Sequence, residues 1–283
     1  YMKERFPEFK QVELAGTAPE LYVRESRHMI GEYRLTMVDV LENRDHWDRI
    51  AFGSYSVDLQ SASPYMHGSI IMKPQQYAIP FRCIVPKGVD GILVVGRSAS
   101  FDSLPHGSAR TIPVGMAAAQ AAGAAAKVAI DHGVTFREMS RSAKLIKILQ
   151  QLLTEQGMDL RPIQIAPPEY TRHKAYEGLK AAISMHLTAG GHKNDFKLDE
   201  PSNPQRFANH LHQVKKVHAA AFPGAFPGNP RLALKHLNQP AAQKLTLDQA
   251  AFTICSWLGA SVPKAEALKF LQQNQVVTPS TLR

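Results

Sequence analysis

The stretch that most constrains the fold is a run of small residues, IPVGMAAAQAAGAAAKVAIDHG, at 112–133. Thr111 or Ile112 caps it, Pro113 suits a first turn where its missing N–H is not needed, and Gly133 supplies the stop. The spacing predicts a single helix over 112–132, whose Ala118, Ala122, Gly123 and Ala126 would allow another backbone to approach closely. Upstream, GVDGILVVGRSAS sets the apolar run Ile92–Val95 between glycines, the pattern of a strand buried on both faces. FDSLPHGSART joins the two as a polar loop, and strand, loop and helix together make a unit of α/β character.

The surrounding sequence gives that unit a context. Residues 1–80 carry sheet signals: apolar and polar residues alternate over Glu32–Leu41, and IAFGSYSVDLQ continues the pattern. REMSRSAKLIKILQQLLTE, 137–155, reads as a second amphipathic helix with Leu145, Ile148, Leu149, Leu152 and Leu153 on one side. The Pro-containing stretch 159–170 is the expected linker, separating a first unit, 1–158, from a second, 171–283. In the second unit helical segments alternate with Gly, Pro and Asn loops. A Leu-Lys step recurs there at Leu179-Lys180, Leu234-Lys235 and Leu268-Lys269, a weak repeat of the kind that stacked helical hairpins produce.

Composition narrows the function classes. The 283 residues are 44% hydrophobic and 20% charged, which excludes the signature of disorder. A net charge of +9 favours anionic partners. Nucleic acid is set aside, because the basic residues are scattered and no zinc-finger or RRM-type motif accompanies them. Cys83 and Cys255 stand alone, which gives neither a disulfide framework nor a cysteine metal cluster, and no metal ligands are assigned. The most apolar stretch, Ile112–Ala126, is too short and too weakly hydrophobic for a membrane span.

GILVVGRSASFDSLPHGSARTIPVGMAAAQAAGAAA resembles the C-terminal signature of a family of FAD-dependent oxidoreductases: a strand, a Gly-Arg step, and a Gly-Ser-x-Arg loop leading into a small-residue helix. VRESRHMIGEYRLTMVDV and YAIPFRCIVPKGVDGILVVGR are similar to the family's earlier blocks, in the same order, so the likeness spans about 20–135. It implies FAD as cofactor and an α/β, FAD/NAD-binding-type domain with an associated mixed β-sheet. Reduced flavin carries negative charge at its pyrimidine edge, and a helix N-terminus offers unpaired N–H groups and a partial positive charge. The resemblance therefore points to Gly96, Arg97, Gly107, Ser108, Thr111, Ile112, Val114 and Gly115 as cofactor-binding.

For the reaction itself, groups that hold substrate and move a proton are sought among Arg24, Arg27, His28, Asp58, Tyr77, Arg82, His106 and Arg110. Arg24, Arg27 and Arg110 lie in the family-like blocks and suit bidentate capture of a carboxylate or phosphate, and His28 and His106 suit proton transfer. These five are the catalytic candidates. A structural ion pair or a satisfied core histidine is the competing reading of each. Gln60 stands where the family pattern favours His, so no role is carried to that position.

No GxGxxG occurs anywhere in the sequence; LTAGGH is the nearest glycine cluster and lacks a preceding β-branched strand. The flavoprotein domain is thus expected to be incomplete, its pyrophosphate-binding, dinucleotide half lying elsewhere in the same or a separate chain. HKAYEGLKAAISMHLTAGGHKNDFKLDEPSNPQRFANHL is similar to an S-layer homology repeat, and AAQKLTLDQAAFTICSWLG and KAEALKFLQQNQVVTPSTLR look like parts of two more. That likeness implies an all-α repeat-built domain at 171–283, cell-wall polysaccharide as a partner, and the extracellular face or surface of a bacterium, with a cytoplasmic location left open. SNPQRF and LTLDQA stand where the polymer-binding motif would be. Two function classes follow: a flavin oxidoreductase with an anchoring or docking module, or a non-catalytic assembly protein that keeps the scaffold. A homo-oligomer fits either.

Overall fold

The computed structural model describes residues 2–20, 22–60, 68–217, 244–274 and 276; Leu234-Lys235 and most of the tail after 274 lie outside the described residues. The short helix α1 (Met2–Arg5) is exposed. Helix α2 (Met37–Leu41) follows, then β1 (Arg49–Gly53), β2 (Asp58–Leu59), β3 (Ser69–Ile70) and β4 (Tyr77–Pro80). The next helices are α3 (Ser103–Ala109), α4 (Ile112–His132), α5 (Phe136–Ser140) and α6 (Ala143–Glu155). Beyond residue 170 come α7 (Tyr176–Ser184), α8 (Pro204–Val217), α9 (Leu247–Trp257) and α10 (Ala267–Gln273). The strands form two small antiparallel sheets, β1–β4 and β2–β3. The result is mixed helix and strand, compatible with an α/β flavoprotein domain.

The long helix is as the sequence predicts. Thr111 is extended at the N-cap, Pro113 lies in the first turn, and Gly133 closes the helix with φ 62. Its buried stripe is Val114, Ala118, Ala121, Ala125 and Val128, spaced by three and four, and it packs on β1 and α6. Of the small residues singled out above, only Ala118 belongs to that stripe, and Gly123 is exposed. The approach of another backbone is thus set by Ala121 and Ala125 rather than by Gly123. From α6, Ile146, Leu149 and Leu153 complete the layer, each contributing about 1.5–3 kcal/mol as an upper estimate of side-chain burial.

Three expectations are corrected. Glu32–Leu41 is not a strand throughout: the Thr36 side chain caps Asp39 N–H and the Asp39 carboxylate accepts from Thr36 N–H, a capping box that starts α2. Alternation alone did not reveal that reciprocal pair. Ile92–Val95 forms no strand; Val94 N–H donates to the Ile84 carbonyl, but no ladder flanks the run, and Ile92 is exposed. A strand exists only where a partner takes its hydrogen bonds. The helix over 137–155 is two, broken at Arg141 and Ser142, because Thr135–Glu138 and Ser142 each cap a separate start.

The core runs on past the expected linker. Leu179, Ile183 and Phe196 pack in the same cluster as Leu35, Tyr77 and Phe101. The Tyr170 hydroxyl donates to the Leu41 carbonyl at 2.7 Å and the Tyr176 hydroxyl to Glu42 Oε1 at 2.9 Å. Gly190 N–H donates to the Ile71 carbonyl at 2.8 Å. Helix α7 therefore covers its apolar face on the first unit. A separate, smaller cluster joins α9 and α10 through Ala251, Cys255, Ala267 and Leu271. The described part of 171–283 is helical where it is regular.

Candidate functional site

The segment around Gly31 brings the sequence blocks together. Met29 N–H donates to the Ser98 carbonyl at 2.9 Å and Leu35 N–H to the Ser100 carbonyl at 3.0 Å, while Glu32 N–H reaches the Val85 carbonyl at 3.0 Å on the other side. Ser100 Oγ accepts from Gly31 N–H at 3.0 Å. The ESRH stretch is thus laid beside the loop 98–102 and the start of α3, and α3 is the first surprise of the site. The segment read as a polar loop is helical because the Asp102 side chain caps Ser103 N–H at 3.0 Å.

Helix α3 turns His106 inward, where it is 1% exposed. Its ring meets the His28 ring edge to face, centroids 4.6 Å apart. Glu25 bridges the pair: Oε1 lies 3.1 Å from His28 Nε2 and Oε2 lies 3.6 Å from His106 Nδ1. The Ser103 hydroxyl donates to Glu25 Oε1 at 2.7 Å and fixes the carboxylate. Neither ring nitrogen of His106 has a hydrogen-bond partner; the Arg97 carbonyl favours the protonated ring from nearby without completing a bond. Leaving such groups buried and unsatisfied costs about 1–3 kcal/mol each. Burial pushes His106 down to about 4; Glu25 opposes this, and His28 and Arg110 add to it. The imidazole is accordingly neutral at pH 7.

At the end of α3, Arg110 faces Asp58 Oδ2 at 3.6 Å, a loose pair, while Gln60 Nε2 donates to the same oxygen at 2.9 Å. Gln60 thus occupies one carboxylate oxygen from the position where the family pattern favours His. Gly107 is required by space: a Cβ there would stand 2.8 Å from the Asp58 carbonyl oxygen. Ser108 is buried, accepts from the Tyr77 hydroxyl at 2.8 Å and donates to the Tyr55 carbonyl at 2.6 Å. Its side chain therefore holds the loop in place. Burial drives the Tyr77 phenol pKa well up, so the hydroxyl stays a donor.

Helix α4 begins directly after this cluster. Thr111 makes no side-chain cap bond, so the N–H groups of Ile112 and Val114 in the first turn are without helical partners, and Ile112 is 70% exposed. Gly115 N–H is already spent on the Thr111 carbonyl at 3.0 Å. Gly96 takes φ 72, a left-handed conformation that lets the chain turn beneath Gly115, whose added Cβ would sit 3.7 Å from Gly96 Cα.

The remaining candidates divide. Arg97 donates to the Val23 carbonyl and stacks on the Tyr22 ring at 5.0 Å, with Arg24 over the same ring at 5.7 Å. Both are exposed, as is Arg27. Arg82 is committed to the fold: it grips the fully buried Asp48 with Nε at 2.8 Å and Nη2 at 3.0 Å and lies over Tyr33 and Trp47. Glu25 and Ser103 were not singled out from sequence; the Glu-x-x-His spacing within ESRH was the available signal. Clefts of about 700 and 630 Å³ lie elsewhere, along 169–199 and beside Gly91 and Gly133. None of the candidate residues lines these two clefts.

An uncapped start of a 21-residue helix, a left-handed Gly96 beneath it and a close-packed Gly107-Ser108 loop suit an anionic ring edge, as flavin presents. No curated protein and no solved structure matches the chain. The family model of FAD dependent oxidoreductases matches residues 1–153, just over half of the sequence. The chain belongs to the FAD dependent oxidoreductase family, and FAD is its cofactor.

Proposed function

We propose that the first unit closes over the flavin of an oxidoreductase acting on a small anionic molecule. The observation that carries the reading is convergence: the uncapped N-terminus of α4, Arg110 and His106 all lie on the short stretch 106–114. When bound, FAD supplies the hydride chemistry. Ile112 and Val114 N–H groups are the donors open to negative charge at the α4 end. Arg110, loosely paired with Asp58, is the cation able to exchange that partner for a substrate carboxylate.

The pyrophosphate-binding turn is assigned to residues outside these 283, since the sequence holds no glycine fingerprint. Exposed Ile92, Ile112, Met116 and Ile130, with the last 80% exposed, support a further layer over this face. On this reading the purified chain is colourless, and flavin appears stoichiometrically only in the complete assembly. A yellow preparation of the chain alone refutes the incomplete-site reading. Arg110→Ala in the flavin-loaded assembly should slow reduction by substrate by at least about tenfold. Unchanged reduction removes Arg110 from the substrate site.

A further inference from the structure

The cluster of Glu25, His28 and His106 has a donor set that the flavin reading does not use up. We propose that these three side chains form a binding site for one first-row divalent cation of the zinc class. One ligand atom from each residue lies within 4.8 Å of the other two. Tetrahedral zinc, with bonds of about 2.0–2.2 Å, sets its ligands about 3.3–3.6 Å apart. His28 Nε2 lies 3.1 Å from Glu25 Oε1 and His106 Nδ1 3.6 Å from Glu25 Oε2, so each imidazole stands near that spacing from one oxygen of the carboxylate.

His106 supplies the second, independent observation. It is a buried imidazole, 1% exposed, with both ring nitrogens unpartnered, so a lone pair is presented toward Glu25 and His28 without any hydrogen bond to lose. His28 Nδ1 is unpartnered as well. The Ser103 hydroxyl on Glu25 Oε1 orients the carboxylate, as groups behind metal ligands do. Two imidazoles and one carboxylate select zinc, cobalt, nickel or copper over magnesium and calcium, which take oxygen donors. Three protein ligands leave a position open for water or an anionic ligand. Arg110 lies close enough to act electrostatically on His106 and opposes a cation there, but Asp58 partly offsets it.

The inference needs no flavin, so its test is separate from that of the proposed function. The purified chain is stripped with chelator and titrated with Zn(II) by calorimetry and with Co(II) by visible absorption. One ion per chain and a d–d band are expected. Glu25→Gln and His28→Gln should each lower affinity by about 10–100-fold or more, the range that even groups behind the ligands reach. Ser103→Ala should lower it by about tenfold. His106→Gln changes a buried residue, so the half-exposed Glu25 carries the test if that variant fails to fold. His173→Gln, which removes a histidine paired with Asp199 outside the cluster, should leave binding unchanged. No binding by the stripped chain, or wild-type binding in both Glu25→Gln and His28→Gln, overturns the proposal. So does a loss of binding in His173→Gln with retention in His28→Gln.

Discussion

Ser108→Ala should cost more stability than Tyr77→Phe, although the two changes delete one hydroxyl each from the same buried chain. Tyr77→Phe removes the donor of a 2.8 Å bond and leaves the Ser108 hydroxyl still donating to the Tyr55 carbonyl at 2.6 Å. Nothing is orphaned as a donor, and the expected loss is about 0.5–1.5 kcal/mol. Ser108→Ala removes the hydroxyl that both accepts and donates. The Tyr77 hydroxyl, fully buried, loses its acceptor, and the Tyr55 carbonyl loses its donor. At about 1–3 kcal/mol for the stranded Tyr77 hydroxyl and about 0.5–1.5 kcal/mol for the lost bond to the carbonyl of exposed Tyr55, the loss is about 1.5–4.5 kcal/mol. Once Ser108 is gone, removing the stranded Tyr77 hydroxyl should recover part of it, so the double variant loses less than Ser108→Ala alone and well under the sum of the singles. Urea unfolding, comparing midpoints at unchanged slope, reads all three. A Ser108→Ala loss smaller than that of Tyr77→Phe, or strict additivity, would refute the chain as drawn.

Two further outcomes follow from the same geometry. Gly107→Ala drives a Cβ to 2.8 Å from the Asp58 carbonyl oxygen, a backbone atom that cannot swing aside, and should destabilise by about 1–3 kcal/mol with weakened flavin retention in the assembly. Wild-type flavin content and melting would show that the loop has room. Burial alone would raise the Asp39 pKa, but the His46 ring 3.6 Å away and hydrogen bonds from Thr36 and Tyr33 outweigh it and hold the carboxyl at about 2, below the ordinary 3.8. The folded value is depressed, so this stabilisation is present above about pH 4 and is lost as pH falls through about 2. Urea midpoints of wild type should converge on those of Asp39→Asn over that interval, and a constant difference between pH 5 and pH 2 argues against it.

Local chemistry made much of this chain readable. The α4 helix was legible end to end because Pro113 and Gly133 each act within a turn of where they stand, although the Thr111 side chain at the N-cap makes no capping bond. The family blocks were legible because they follow in order along the chain. What sequence could not settle is what depends on a partner distant in the chain. Ile92–Val95 has the composition of a buried strand, yet composition supplies no neighbour to accept its hydrogen bonds. Arg82 looked like a site residue until the buried Asp48 claimed it. Glu25 and His28 meet His106 only because Met29 pairs with Ser98 and α3 turns its histidine inward. Likewise α7 read as the start of a separate repeat, because an apolar helical face does not record which surface will cover it; packing placed it on the first unit. Sequence determined where helices begin and end and which cofactor family the chain joins. Tertiary structure decided which polar groups are left without partners, and those are the groups on which the site's chemistry turns.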